Sequence, residues 1–140
     1  MSIEIIKGTG GVGNSEAGSY TELTNKPQIN GITLSGNKSG ADLGLTPSTV
    51  TITEASVTIS EIKANTNYKL TSNALTDITF SGCETSYEVT TIEFTTGEND
   101  VTLYDNSGID WADGETPVFY AYQHYLIVIF NKTGFVKEIY

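Results

Sequence analysis

Few side chains in this sequence are able to do chemistry, and each set is incomplete for the reaction it suggests. His124 is the only histidine and Cys83 the only cysteine. A hydrolytic pair needs a base beside its nucleophile and a third group to orient that base. Cys83 follows a Ser81-Gly82 turn and His124 opens an apolar run, so the two read as a small turn residue and a strand-end histidine. One His and one Cys are also too few for a transition-metal cage. Gly8, Gly10 and Gly13 match the spacing of a dinucleotide loop, in which backbone amides meet a pyrophosphate at a helix start. No helix pattern follows before Pro27, and the glycines read as a tether. Asp105, Asp110, Asp113 and Glu115 offer the oxygens a hard cation prefers, but not in the helix-loop-helix calcium spacing. Trp111 with Tyr104, Tyr120 and Tyr122 are candidate glycan contacts, since an aromatic face matches the apolar face of a pyranose. A polysaccharide depolymerase needs two carboxylates placed across a cleft, and no pair here is recognisably spaced for it. No catalytic, cofactor-binding or metal set emerges, so the sequence predicts a protein that is not an enzyme and carries no cofactor.

The elements available to position these residues are β-strands. The chain has 140 residues, enough for one ordinary domain and an appendage. Apolar residues make up 38% and charged residues 17%, and Thr, Ser, Asn and Gly fill the difference. Seven lysines, no arginine and seventeen acids give a formal charge of −10, which argues against a phosphate-tracking surface. The acids concentrate after residue 45, where thirteen face four lysines. No apolar run is long enough for a membrane span, and MSIEIIKGTGG has no secretory core, so synthesis in a cytoplasm is expected.

Three segments follow from the pattern. Residues 1-18 read as a docking arm in which Ile3, Ile5 and Ile6 form a short strand on a glycine tether, suited to adding to an exposed sheet edge. Residues 19-46 read as a linker and oligomerisation module. Asn30-Gly31 supplies a tight turn, Ser39 to Leu45 suit one helical turn, and Ile29, Ile32, Leu34, Leu43 and Leu45 are too few to form a core alone. Residues 47-140 show short β-branched and aromatic runs near 50-53, 56-59, 67-71, 76-80, 87-94, 100-104, 118-122, 124-130 and 135-139, separated by Asn, Gly and Asp. This spacing predicts an all-β, jelly-roll-like β-sandwich head. Tyr125 to Phe130 is nearly continuous in apolar residues and is expected to be buried on both faces, and Lys132-Thr133-Gly134 is expected to turn.

Residues 20-45 carry a longer pattern. Tyr20, Leu23, Asn25, Lys26, Pro27, Ile29, Asn30, Gly31, Leu34, Gly36, Asn37 and Lys38 resemble the Y-x-x-L-x-N-K-P-x-I-N-G-x-x-L-x-G-N-K module of phage head-fibre, tail-fibre and baseplate proteins. Trp111, Gly114, Pro117 and Tyr125 are similar to the spacing of β-domains that follow that module. The resemblance implies a homo-oligomeric virion protein, trimeric in the favoured case, with its N-terminus on a capsid or other virion protein and its β-head outward. The short length favours a head fibre or capsid decoration. The alternative is a glycan-binding recognition module of a tail or baseplate. Expected partners are copies of itself, a virion protein and a host-surface glycan, with no nucleic acid and no membrane.

Overall fold

The computed structural model describes residues 25–140, and the chain divides into two compact units, Met1–Leu45 and Thr46–Tyr140. In the first, β1 (Gln28–Ile29) pairs antiparallel with β2 (Ile32–Thr33), setting Ile29 across from Ile32. Asn30 and Gly31 have φ of 49° and 75°. Two successive positive φ values define the hairpin turn that matches strand twist, and Asn-Gly tolerates them best. Ser39 to Leu45 forms a single turn whose start is closed reciprocally: the Ser39 amide donates to the Asp42 carboxylate at 2.9 Å, and the Asp42 amide to Ser39 Oγ at 3.1 Å. The Ser39 amide bond first, and then the Ser39 hydroxyl bond to the same carboxylate, hold the Asp42 pKa below its ordinary value. Asn30 Nδ2 donates to the Leu43 carbonyl at 2.8 Å, tying hairpin to turn.

The second unit has nine strands: β3 (Ser48–Ile52), β4 (Ser56–Ile59), β5 (Thr66–Leu70), β6 (Asp77–Phe80), β7 (Thr90–Thr95), β8 (Thr102–Asp105), β9 (Asp110–Trp111), β10 (His124–Phe130) and β11 (Thr133–Ile139). Successive strands from β3 to β8 alternate between two sheets. β3, β5 and β7 pair in parallel in one, and β4, β6 and β8 in parallel in the other. A short third side is marked by the parallel bridge between Ile62 and Cys83. The unit is therefore a β-solenoid of about three turns, and the expected jelly-roll sandwich is corrected. Alternation of apolar and polar residues states which face of a strand is buried, but not which strand lies beside it. The connection at residues 53–55 does not fold β4 back onto β3; it turns a corner into the other sheet.

Stacked coils place like residues on like. Val57, Ile78 and Leu103 form one inward row, and Val50, Tyr68, Ile92, Ile127 and Val136 another. Outside, Ser56 Oγ donates to Asp77 at 2.6 Å and Thr91 Oγ1 to Asn67 Oδ1 at 2.7 Å, so polar rungs also bridge coils. The last coil is closed: β10 and β11 extend the larger sheet as an antiparallel hairpin, β9 joins the far edge of β11, and Phe119 bridges Val101 with none of its own surface in water. The first coil ends in β3, whose inward Val50 is 39% exposed. At the corner before β5 both backbone groups of Lys63 are held: Tyr68 Oη accepts its amide at 2.9 Å, and Thr90 donates to its carbonyl at 2.7 Å.

Three local expectations change. Residues 118–122 form only the Phe119 bridge, not a strand. β10 buries Tyr125, Ile127 and Ile129 but leaves Leu126 and Val128 half-buried and Phe130 exposed, because no second layer of the described residues covers its outer face. The hairpin turns at Asn131-Lys132, with φ of 47° and 60°, while Gly134 lies within β11.

Candidate functional site

The parallel register that stacks the coils also assembles a polar groove on the outer face of the larger sheet. Lys69 on β5 lies across from Glu93 on β7, and His124 at the start of β10 lies across from Thr95. Glu93 Oε1 and His124 Nε2 are 3.0 Å apart, both partly exposed. With Thr71 and Asn73 they line a groove of about 390 Å³. Its chemistry is that of a rigid hydrogen-bonding floor: an ammonium, a carboxylate, an imidazole and hydroxyls whose spacing is fixed by strand pairing. Glu93 and Lys69 were not legible as site residues in the sequence, because their neighbours are 31 and 24 positions away and nothing local marks them.

Cys83 lies on the third side of the solenoid, where its thiol donates to the Glu84 carbonyl at 3.5 Å. Burial pushes its pKa up, which suppresses the thiolate a nucleophile needs. His124 is bonded to Glu93 instead, so the two groups are not brought together as a nucleophile and base.

The acidic loop is organised from within. Asp105 accepts from the Ser107 amide at 2.9 Å, the Ser107 hydroxyl at 2.5 Å and Trp111 Nε1 at 2.8 Å. Asp110, Asp113 and Glu115 are exposed, and among the described residues no three His, Cys, Asp or Glu side chains gather to hold a metal ion. Trp111 is half-buried against the core, its ring lying on Gly134. Tyr104 projects from the outer face of β8, and Tyr120 and Tyr122 are exposed in the connection before β10. No ring contact joins any of these four aromatics among the described residues, so each stands as a separate contact point.

Of the proposed assembly residues, Ile29 and Ile32 pair in the hairpin and are half-buried with Leu34, Leu43 is buried, and Leu45 is 60% exposed. Ile3, Ile5 and Ile6 lie outside the described residues. The fold is that of a small β-solenoid; no family model matches the chain, and no curated protein or solved structure matches it.

Proposed function

We propose that this chain is a structural subunit of a bacterial virus particle, a head fibre or capsid decoration that assembles with copies of itself and is anchored through residues 1-18. The resemblance of residues 20-45 implies a homo-oligomer, with three copies the favoured case. The carrying observation is that the Asn25-Lys26-Pro27-Gln28-Ile29-Asn30-Gly31 stretch supplies the first strand and the turn of a hairpin closed by Ile32–Thr33, in a unit separate from the solenoid. A module with its own turn geometry and exposed apolar residues such as Leu45 suits a joint between chains. A solenoid suits the outer part, since stacked coils give a stiff body without a large core.

The test is co-purification with particles. Full-length chain is expected to band with virions in a density gradient. A chain lacking residues 1-18 is expected to remain soluble with an unchanged Trp111 emission spectrum. Equal recovery of both forms in the soluble fraction refutes the anchoring role.

A second reading is favoured by the exposure of Tyr104, Tyr120 and Tyr122. Tyrosines held outward on a stiff frame suit weak, multivalent glycan contacts. An intact oligomer that gives no signal above background on a glycan array removes this reading.

A further inference from the structure

β10 carries apolar residues on both faces. Tyr125, Ile127 and Ile129 enter the core, whereas Leu126, Val128 and Phe130 point out of the sheet. On β11 the outward neighbours are Phe135, directly across from Val128, and Ile139. Tyr87 stands edge-on to Phe130 with ring centroids 5.8 Å apart. Phe130, Phe135 and Tyr87 are 41%, 48% and 77% exposed. Since an aromatic side chain offers roughly 150–250 Å², these three exposures leave roughly 250–400 Å² of apolar surface in water, within the range of the largest patch on a typical monomer.

Charge selects what covers it. The unit from Thr46 onward holds thirteen acids and four lysines, so two copies repel in most orientations. The outward face of the larger sheet is the exception. Its strands carry Lys69 and Lys137 against Glu93 and Asp110, with Lys132 at the hairpin turn and Glu88 beside Tyr87, so this face is close to neutral. Glu138 belongs to the inward row, opposite Tyr125. One row across this face runs Lys69, Glu93, Leu126, Lys137. A copy related by a twofold axis along β10 sets Leu126 on Leu126 and places Glu93 of each chain against Lys137 of the other.

We infer that the outward face of β10 and β11 docks a second copy of this chain about that twofold axis. The apolar centre, ringed by Lys69, Thr91, Glu93 and Lys137, supplies up to about half of the roughly 800 Å² per partner that a standard stable interface buries. This docking needs neither the virion assignment nor residues 1–45. Where the N-terminal module gathers three chains, the second copy belongs to a neighbouring assembly.

The test is sedimentation of the full chain over a range of concentrations, with far-UV dichroism as the folding control. Phe135→Asp and Val128→Asp, both outward-facing, are expected to weaken association at least about tenfold, as central contacts of an interface do. Tyr104→Asp, on the smaller sheet, is expected to leave the mass unchanged. Glu93→Lys is expected to weaken association, and Glu93→Lys combined with Lys137→Glu to restore it. Equal masses for wild type, F135D and V128D at every concentration overturn the inference. So does a charge swap that fails to restore association. Either result leaves particle co-purification unaffected, so this docking and the virion reading fail separately.

Discussion

Replacing Gly134 with alanine tests the closure of the solenoid at one atom. A Cβ at this position falls 2.6 Å from both Cε3 and Cζ3 of Trp111 and 2.8 Å from Cγ2 of Ile109. The indole has little room to retreat. Its Nε1 is bonded to Asp105 at 2.8 Å, and its backbone is held by the parallel pairing of β9 with β11, including the Ala112 amide donating to the Gly134 carbonyl at 2.9 Å. Overpacking of this kind costs about 1–3 kcal/mol, and the reduced freedom of the unfolded chain offsets about 0.4–1 kcal/mol. The net expectation is a loss of about 1–2 kcal/mol, or roughly a 5–10 °C fall in Tm for a unit of this size. Trp111 is the only tryptophan, so its emission follows the same site, and a red shift in native G134A is expected. In a Trp111→Ala background, followed by dichroism, the cost of G134A should drop by more than half, with the Ile109 contact accounting for what is left. An unchanged or higher melting temperature for G134A, or an undiminished cost in the W111A background, would falsify the view that glycine is there to admit the indole.

The remaining predictions follow from the same geometry. Asp105→Ala removes the acceptor for three donors at the buried Ser107 and half-buried Trp111, and should cost about 1–3 kcal/mol with a red-shifted Trp111 emission in the native state. Along the inward row, Ile127→Ala should cost about 2–5 kcal/mol, whereas Val50→Ala, at the open first coil, should cost under about 1 kcal/mol. Urea titrations of the two variants measure that gradient. Glu84 has its pKa lowered, first by the Ala64 amide at 2.8 Å and then by Lys63. Its contribution is therefore fully present above the ordinary value of 4.5 and is lost as pH falls through the lowered one. Glu84→Gln should flatten the acid limb of a stability–pH curve slightly, the effect being small because the pair is exposed.

What could be read from the sequence was local. Val101 and Leu103 alternate with Thr102 and Tyr104 in the chain, and the structure buries the first pair and exposes the second. Asn30-Gly31 announced its turn because only a few residues accept two positive φ values in succession. Strand partnership was not legible. Partners in the larger sheet are 18 residues apart between β3 and β5 and 24 apart between β5 and β7, as Ser48 with Thr66 and Asn67 with Thr91 show. Coils of unequal length leave no fixed period to detect, and short β runs separated by turn residues serve a sandwich and a solenoid equally well. Gly134 illustrates a second ambiguity. Glycine permits a turn and also permits a close approach, and here the turn falls to Asn131-Lys132 while Gly134 admits the Trp111 ring. The Lys69–Glu93–His124 groove shares the first difficulty, since it exists only once parallel and antiparallel registers are both set.

The two ends of the solenoid and its outward hairpin face make different offers to a neighbouring chain. At the first coil, the outer edges of β3 and β4 pair with no other strand among the described residues and are the usual template for strand addition. These edges are short, at five and four residues, and rich in Ser and Thr, with Pro47 immediately before β3 and Glu54 between the two strands. Thr53 spends its amide on the Glu54 carboxylate at 3.0 Å, which blunts the corner further. Such features discourage indefinite edge-to-edge stacking, the hazard of any parallel β-solenoid with an open end. The hairpin face has no comparable protection: Val128, Phe130 and Phe135 form its centre, and the lysines around it lessen the repulsion between acidic copies. A lysine introduced at Thr51, on the edge, should therefore leave self-association intact, whereas an aspartate at Phe135 should not. The contrast separates association through backbone hydrogen bonds from association through side-chain burial, the mode for which this surface is arranged.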